Sequence, residues 1–554
     1  MNRSTLWIGA LYGFLTSLVV MAVSYLGYLV LRLPFLPFDL FDWLSRNLPG
    51  RLIETGIQSM ISIINALHLG PTDSTAKLAE QVMGILLVAV TGAAFGVLLA
   101  WIDRRRPAWR TPAGLLVGFI LWLGMAFIEL SLPGGGTGVG ILWFAALLVI
   151  WGWQLAELLR SKQAPALEAP AGEGGPSPAR TISRRGFLAI LASGLASFVV
   201  LLLGLGKFRQ DAAAVAPPLP GAAQSTTPPA PVTLPYGPQY TSGPAASPAL
   251  DALAKRLAPA PGTRPEVTAA ADFYRIDIDT FPPQLDGNTW RLEIKGLVQK
   301  PLSLSLADIR SRPSVSQAVT MECISNPVGG ELTSSNFWTG ARLKDVLAEA
   351  GVAPTATDIA MKAADGFYEG VSLKEAMDER VLLVYAMNGE PLSAEHGFPL
   401  RIYIPNHYGM KQPKWLTSLE LVNQPPAGYW VDRGWSQTAI PRTTSVIDTI
   451  TVDRATFEKT GIMPLGGIAW AGTRGIKKVE LQIDGGPEWL EAELINPPLS
   501  PLTWVLWRYD WKATPGSHQI VTMATDGTGA YQIAEPTDPA PEGATGLYYI
   551  TINI

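Results

Sequence analysis

The chain contains one cysteine, Cys323, which lies in the segment MECISNPVGG at residues 321–330. A lone cysteine can form neither an internal disulfide nor a zinc site that needs two or four cysteines. It is therefore either an inert buried thiol, which is common for free cysteine, or a single functional thiolate. The elements around it must decide between these two roles.

The composition separates a membrane part from a soluble part. The chain has 554 residues and a net charge of -4, so it carries no basic field for nucleic acid. Its mean hydropathy of +0.21 is high for a soluble protein, and the apolar excess lies in residues 1–206. The chain is long enough for three or more domains.

Four apolar runs predict transmembrane helices, because each reaches the ~20 residues that cross a bilayer core. They cover residues 6–31, 81–102, 113–132 and 140–159. Between the first two, residues 52–67 form an amphipathic stretch that could lie on the membrane surface. The four runs define a predicted transmembrane domain at residues 1–160.

The charges of the loops predict the orientation of these helices. Basic residues follow the second and the fourth span, whereas residues 131–140 contain no lysine or arginine. By the positive-inside rule, the two basic loops and the N-terminus are cytoplasmic. The basic residues are Arg104, Arg105, Arg106 and Arg110 after the second span, and Arg160, Lys162, Arg180, Arg184 and Arg185 after the fourth.

A cytoplasmic linker at 161–182 leads to the sequence SRRGFL at 183–188 and a fifth apolar run that ends near residue 206. The pattern matches a twin-arginine export signal, although basic residues could also simply flank a stop-transfer span. We interpret it as an export signal that is retained as a fifth transmembrane helix. Because this route carries folded proteins, it predicts an extracytoplasmic domain that acquires a cofactor in the cytoplasm.

A Pro/Ala-rich tether at 207–264 precedes two predicted globular domains. The first, at 265–428, mixes helices and strands, and the second, at 440–554, contains short strands separated by turns, as in a β-sandwich. The predicted helices are 306–310 and 343–350, and the predicted strands are 290–295, 381–387, 400–404, 447–452, 467–470, 478–483, 519–524 and 547–554. Residues 484–486 and 526–527 predict hairpin turns.

Several separate motifs in the first globular domain resemble sulfite-oxidase-family molybdopterin domains, and they occur in that family's order. They are FYR at 273–275, WRLEIKGLV at 290–298, PL at 301–302, the Cys323 loop, WTGARL at 338–343, ADGFY at 364–368, HGFPLR at 396–401, and YGMK and KWL at 408–411 and 414–416. The C-terminal part, with GIAWAG at 467–472, VELQIDGG at 479–486 and Trp489, resembles the immunoglobulin-like β-sandwich dimerisation domain that often follows.

The resemblance implies a molybdenum–molybdopterin cofactor with Cys323 as the protein ligand. A soft thiolate suits a molybdenum ion that carries a dithiolene, and glycine and proline in the loop let the backbone approach a bulky group. The resemblance places cofactor contacts at Tyr274, Arg275, Asp365, His396, Arg401, Gln412, Pro413 and Lys414. Arginine and lysine would hold the phosphate of the cofactor. His396 could instead be a loop or cap residue, and Trp415 is expected in the core.

The Cys323 loop departs from the pattern of sulfite-oxidising members, which carry basic residues after the cysteine. Here residues 326–331 contain no arginine and end in Glu331, which would repel the sulfite anion. We therefore expect two-electron oxygen-atom transfer on another small substrate, with His407 and Tyr408 as candidate proton donors. His407 could equally be a surface residue. The alternatives are a sulfite oxidase that binds anions through Arg342 or Lys411, and a non-catalytic binding module.

The predicted partners follow from what the sequence lacks. A bis-His haem needs two axial histidines within the helices, and only His68 precedes the soluble part, outside the predicted spans. The other histidines are His396, His407 and His518, and there is neither a CxxCH motif nor a cysteine cluster. We expect no haem and no iron–sulfur cluster, so electrons would pass to or from a separate partner or a quinone. Membrane lipid and a second copy of the chain are the other expected partners.

Overall fold

The computed structural model describes residues 3–31, 33–48, 72–132, 137–160, 256–279, 281–449 and 454–554, with a few single positions between 52 and 59 and between 192 and 197. The amphipathic stretch, the linker, the export signal with the fifth span, and most of the tether lie outside these residues. The chain divides into two compact units, of which the first contains the N-terminal helices and the second contains the described residues of 256–276 and 282–554.

The N-terminal unit is helical, as predicted. Its helices are α1 (Arg3–Leu31), α2 (Leu36–Asn47), α3 (Thr72–Arg105), α4 (Arg110–Ser131) and α5 (Gly138–Arg160). Within the described ranges, four segments are long and apolar enough to cross a membrane: Leu6–Leu31, Lys77–Arg105, Pro107–Ser131 and Gly138–Leu159.

Glycines let these helices pack at close distance. Gly9 and Gly13 of α1 face Gly92 and Gly96 of α3, and a Cβ atom on Gly96 would lie 2.0 Å from the carbonyl oxygen of Gly9. Gly114 repeats this packing, because its Cβ would lie 2.4 Å from a carbonyl oxygen of α5. Small residues four positions apart are typical of helix interfaces in lipid.

The second unit begins with an α+β domain built on two sheets. In the first sheet the strand order is β2-β1-β10-β5-β6, and β1 pairs with β10 in parallel. In the second sheet the order is β3-β4-β7-β8, and β9 also pairs with β7. The strands are β1 (Arg291–Gly296), β2 (Leu302–Ser305), β3 (Ser314–Glu322), β4 (Thr333–Arg342), β5 (Asp358–Ala363), β6 (Tyr368–Ser372), β7 (Leu382–Met387), β8 (Glu390–Pro391), β9 (Arg401–Tyr403) and β10 (Leu416–Val422).

The short helices of this domain begin and end at local sequence signals. Helix α6 (Leu306–Arg310) starts with a capping box in which Ser305 and Asp308 bond reciprocally. Helix α7 (Leu343–Ala350) ends at Gly351, whose φ of 68° is the left-handed conformation that glycine adopts readily. Both helices have the predicted bounds. Helix α8 (Leu373–Ala376) carries a second capping box, formed by Ser372 and Glu375.

The C-terminal part consists of two four-stranded sheets, ordered β11-β12-β16-β15 and β14-β13-β17-β18. Buried residues from both sheets form one apolar cluster, so the sheets pack face to face. The strands are β11 (Thr444–Ile447), β12 (Ile462–Trp470), β13 (Ile476–Ile483), β14 (Leu490–Glu491), β15 (Glu493–Leu494), β16 (Val505–Lys512), β17 (Ser517–Asp526) and β18 (Tyr548–Asn553), and helix α9 is Arg454–Thr460. The immunoglobulin-like class and the dimerisation role stay predictions.

The strand predicted at 447–452 agrees with the structure only at Ile447, and its residues 450–452 lie outside the described part of the chain. The strand covers Thr444–Ile447, and Asp448 lies beyond its end. The carboxylate of Asp448 instead accepts hydrogen bonds from the Arg264 guanidinium, at 2.7 Å for the closest pair. The turn predicted at 484–486 is present, and both Asp484 and Gly485 have positive φ, as a tight hairpin turn requires.

Candidate active site

Cys323 occupies the first position of a closed loop, residues 323–332, that connects β3 to β4 and is called here the thiol loop. The N–H of Cys323 donates to the carbonyl oxygen of Leu332 at 2.9 Å, so both ends of the loop are joined. The thiol is buried and its Sγ lies 3.0 Å from Oγ of Ser325. Burial raises the pKa of the Cys323 thiol, and the contact with Ser325 partly opposes this.

Two buried side chains fix the shape of the thiol loop from within. The amide of Asn326 donates to Oε1 of Glu322 at 2.8 Å, and the N–H of Leu332 donates to Oδ1 of Asn326 at 2.9 Å. Burial raises the pKa of Glu322 to about 7. A Cβ on Gly330 would lie 2.4 Å from Oδ1 of Asn326, so only glycine fits beside this bond.

Four basic residues lie on or next to the loop between β8 and β9. We call them the basic cluster, and they are Arg275, His396, Arg401 and Lys414. Gly397 lies between two of them and has a φ of 105°. A Cβ at this position would lie 3.1 Å from the Cβ atoms of both Arg401 and Lys414. The glycine therefore lets the two cationic side chains start from neighbouring points.

Arg401 is a buried cation that lacks a carboxylate partner within the described part of the chain. One terminal nitrogen donates to the carbonyl oxygen of His396 at 3.3 Å, and Nε has no hydrogen-bond partner among the described atoms. The guanidinium lies 4.7 Å above the ring of Trp338, and burial lowers the pKa of Arg401 to about 10. Such an uncompensated cation is costly unless an anion binds it. The residues therefore fit the phosphate of a pterin cofactor.

His396 is a neutral member of the basic cluster. Its Nε2–H donates to the carbonyl oxygen of Ala270 at 3.0 Å, and its ring packs edge-on against Phe273. Burial, together with the charges of Arg401 and Arg275, lowers the pKa of His396 to about 4. A neutral imidazole at pH 7 adds a hydrogen-bond donor without adding another charge.

The other two cations of the basic cluster, Arg275 and Lys414, both contact Glu395. Arg275 forms an ion pair with its carboxylate at 3.2 Å, and Nζ of Lys414 donates to its carbonyl oxygen at 3.1 Å. Lys414 also lies 4.6 Å from the ring centre of Trp415. Trp415 is fully buried and its indole N–H donates to the carbonyl oxygen of Ala394, as the core prediction for this residue requires.

Tyr274 lies next to the thiol side of the site. Its N–H donates to Oγ of Ser334 at 3.1 Å, and a Cβ on Gly409 would lie 2.6 Å from its hydroxyl oxygen. Burial and the nearby Cys323 raise the pKa of Tyr274, so the phenol stays protonated. The structure thus brings together Tyr274 and the backbone of the loop that carries Tyr408.

His407 is buried, so its interpretation as a surface residue is wrong. Its Nδ1 lies 2.8 Å from the carbonyl oxygen of Thr438, and its Nε2 lies 3.3 Å from Oε1 of Glu375. The hydrogen bond with His407 lowers the pKa of Glu375 to about 2. Both ring nitrogens therefore have protein partners.

Tyr408 packs against Ile324 of the thiol loop. Its hydroxyl oxygen accepts from the N–H of Arg442 at 3.0 Å, and no acceptor among the described residues takes its own proton. Burial and the charge of Glu322 raise the pKa of Tyr408. Of the two candidate proton donors, Tyr408 is the one whose proton has no acceptor within the described ranges.

The remaining residues predicted to contact the cofactor are Gln412, Pro413 and Asp365. Gln412 is buried, donates to the carbonyl oxygen of His407 at 3.1 Å, and has an Oε1 atom without a partner among the described atoms. The carbonyl oxygen of Pro413 accepts from Ile402, and Oδ1 of Asp365 accepts from the N–H of Phe367 at 2.9 Å in a tight turn.

A buried ion pair that the sequence did not predict supports the same loop. Nζ of Lys411 donates to Oε1 of Glu369 at 2.7 Å, and both side chains are almost fully buried. Glu322 and Asn326 were also missed as supporting residues, although both lie inside the cysteine motif. No local signal in the sequence distinguishes Glu369.

Comparisons with known proteins match the part of the chain that contains Cys323. The profile described as "Oxidoreductase molybdopterin binding domain" matches residues 279–430. The uncharacterised oxidoreductase YuiH of Bacillus subtilis (strain 168) is 31% identical over 177 residues, which are 32% of this chain and 87% of that protein. The chain belongs to this molybdopterin-binding oxidoreductase family.

Named sulfite oxidases are among its relatives. The mitochondrial sulfite oxidase of Homo sapiens is 29% identical over 304 residues, which cover 47% of this chain and 55% of that protein. The sulfite oxidase of Arabidopsis thaliana is 28% identical over 315 residues, which cover 47% of this chain and 79% of that protein. This chain thus spans about half the length of the human enzyme. The solved structure of the sulfane dehydrogenase SoxCD from Paracoccus pantotrophus aligns with a TM-score of 0.46 at 22% identity, covering 60% of this chain and 96% of that one.

The protein is therefore an oxidoreductase of the sulfite oxidase family that uses a molybdenum cofactor. The non-catalytic alternative is set aside by this assignment. Family membership leaves the substrate and the attachment to the membrane to be argued separately.

Proposed function

We propose that this protein is a membrane-anchored, extracytoplasmic molybdenum oxidoreductase that performs two-electron oxygen-atom transfer on a small substrate other than sulfite. The observation that carries the proposal is the proximity of a single buried thiol to a buried cation that has no acid partner among the described residues. Arg401 lies 4.0 Å from the sulfur of Met321, which precedes Cys323 by two residues, or about 7 Å of strand. This proximity supports a soft metal ligand and an anion site that would serve one cofactor.

Each residue that was predicted to contact the cofactor would help to bind it. Cys323 would bind the metal, and the basic cluster would hold the phosphate, with Arg401 as the principal cation. Tyr274, Asp365, Gln412 and Pro413 would line the pterin between these two ends. The cofactor, when bound, supplies the two-electron exchange of an oxygen atom.

The chain's own residues would control protons at this site. The raised pKa keeps the Tyr408 phenol protonated, and its hydroxyl oxygen already accepts from Arg442. The O–H is therefore free to donate to an oxygen atom of the substrate. His407 would orient this loop through Thr438 and Glu375.

Sulfite is a poor match for the charges around the thiol loop. Lys411, one candidate for binding the anion, is already neutralised by Glu369. Arg342 is at the far end of β4, which begins next to the thiol loop at Thr333, so about 30 Å of strand separates the two. Glu331 is exposed at the end of the loop and adds a negative charge.

The membrane attachment is proposed from the four apolar helices and from the SRRGFL sequence at 183–188. The helices would anchor the catalytic domain outside the cytoplasm, with the N-terminus inside. Electrons would then pass to or from a separate partner or a quinone, and a second copy of the chain could associate through the C-terminal sheets.

The test is metal and pterin analysis of the full chain, purified from cells supplied with molybdate. We expect molybdenum and pterin in equal amounts, and activity in a screen of S-oxides, N-oxides and sulfite with an artificial electron donor or acceptor. Cys323→Ser is the matched inactive control. Protein without molybdenum refutes the cofactor assignment, and a sulfite-dependent rate above all the others refutes the substrate argument.

A further inference from the structure

The ring of Tyr548, at the start of β18, lies directly on the thiol loop. A Cβ on Gly329 would lie 2.0 Å from Cε2 and 2.3 Å from Cδ2 of Tyr548. Gly329 has a φ of 79°, so it is a position where a side chain would be strained in any case. The bare backbone lets an aromatic ring from the C-terminal sheets contact the loop six residues after Cys323.

A second contact joins the strand that leads into Cys323 to the same C-terminal part. The N–H of Thr320 donates to the carbonyl oxygen of Leu502 at 3.0 Å, and the N–H of Trp504 donates to Oγ1 of Thr320 at 2.8 Å. The hydroxyl of Ser500 donates to the carbonyl oxygen of Ala318. The end of β3 is therefore hydrogen-bonded to residues 500–504 immediately before the thiol.

A third contact lies on the side of Tyr408. A Cβ on Gly543, between β17 and β18, would lie 2.5 Å from the hydroxyl oxygen of Tyr408. The carboxylate of Glu542 accepts from the hydroxyl of Ser436 at 2.6 Å. The C-terminal part thus touches the strand before the thiol, the loop after it and the candidate proton donor.

We propose that the C-terminal sheets are a structural part of the molybdenum site, and that Tyr548 is the residue that positions the thiol loop. The hydrogen bonds of Asn326 fix the shape of the loop, and the ring fixes its place, because an aromatic ring on bare backbone excludes water and resists outward movement of the loop. The role of the thiol as a metal ligand rests on the proposed function, whereas the positioning of the loop by Tyr548 is independent of any metal.

The single cysteine gives a direct readout of the position of the loop. The full chain, produced without cofactor, is treated with iodoacetamide, and every alkylation event reports on Cys323 because no other cysteine exists. A buried thiol reacts through local opening, so its rate measures how strongly the loop is held in place. We expect Tyr548→Ala to react about tenfold faster than the wild type, which corresponds to ~1.4 kcal/mol of lost loop stability.

Two variants test whether the effect belongs to the ring of Tyr548. Tyr549→Ala removes the neighbouring side chain of the same strand, which is 64% exposed, and should react at the wild-type rate. Tyr548→Phe keeps the ring and should do the same. If Tyr548→Ala does not fold, Tyr548→Leu replaces it with the same expectation. Alkylation of a folded Tyr548→Ala or Tyr548→Leu protein at the wild-type rate overturns the proposal.

The loaded enzyme gives a second readout. Tyr548→Ala should alter the electron paramagnetic resonance line shape of the half-reduced metal, because that signal depends on the orientation of the thiolate. Tyr548→Phe should reproduce the wild-type spectrum. An unchanged spectrum in Tyr548→Ala would contradict the positioning role even if activity falls. Absence of metal from the wild type would refute the proposed function and would leave the alkylation result to be judged by itself.

Discussion

Replacing Arg401 by methionine should stabilise the protein that lacks cofactor and should prevent it from retaining the cofactor. Burial lowers the pKa of Arg401 from 12.5 to about 10. Because the folded state disfavours the protonated form relative to the unfolded state, the buried charge costs the cofactor-free protein about 3 kcal/mol at pH 7. The contact of the guanidinium with the ring of Trp338 returns about 1–2 kcal/mol of this. Arg401→Met should therefore raise the free energy of unfolding by roughly 1–2 kcal/mol.

The same substitution removes the principal cation of the basic cluster. A charge-assisted hydrogen bond to a phosphate is worth about 1.5–3 kcal/mol, which predicts about 10- to 100-fold weaker retention of the cofactor. The assay compares thermal unfolding of the full-length cofactor-free chain in detergent with the molybdenum content of protein purified from molybdate-supplied cells. The gain in stability corresponds to a midpoint about 2–8 °C higher.

Arg310→Met is the matched control. Arg310 also lies over an aromatic ring, 5.6 Å from the ring centre of Tyr385. Tyr385 is next to Val384, the cross-strand partner of Arg401, so the two arginines lie on opposite faces of one sheet. The control should keep its molybdenum. If Arg401→Met kept wild-type molybdenum and lost stability without the cofactor, Arg401 would be a structural residue and the anion site would be refuted.

Three further predictions concern stability. Lys411→Met leaves Glu369 buried without its cation and should lower the free energy of unfolding by about 3–5 kcal/mol. The double variant with Glu369→Leu should recover most of this loss, and equal losses in both variants would contradict the prediction. In the cofactor-free protein, nuclear magnetic resonance should give His396 a pKa of about 4. The free energy of unfolding should fall as the pH drops from about 6.5 towards 4, because only the unfolded state takes up the proton in this range. A measured pKa near 6.5 would refute this prediction. Gly96→Val should lower the unfolding temperature of the chain in detergent, because its Cβ would lie 2.0 Å from a carbonyl oxygen of α1. Gly124→Val should leave the temperature unchanged, because a Cβ at Gly124 has no described atom within 4 Å. Similar behaviour of the two variants would contradict the close packing of α1 and α3.

Local signals in the sequence predicted the local elements. Helix α7 has the predicted bounds because Gly351 ends it, and the hairpin at Asp484 has its turn because that sequence favours positive φ. In the strand predicted at 447–452, Asp448 lies outside the ladder and is bonded to Arg264, which is far away in the sequence. Periodicity contains no information about such a partner.

The residues that support the site were harder to predict than those expected to contact the cofactor. Cys323 was evident as the single cysteine in a loop rich in glycine and proline. The partner of Lys411 lies in another strand, and Tyr548 lies more than 200 residues beyond the thiol loop on which it packs. These contacts arise from tertiary packing, which one sequence does not encode in a local pattern.

Cys323 is the proposed protein ligand of the molybdenum. The most direct measurement is X-ray absorption at the molybdenum edge, on the wild type and on Cys323→Ser, with the metal content of each determined in parallel. We predict one sulfur ligand fewer in the variant than in the wild type, or loss of the metal altogether. Full metal content with the same number of sulfur ligands in both proteins would contradict the account.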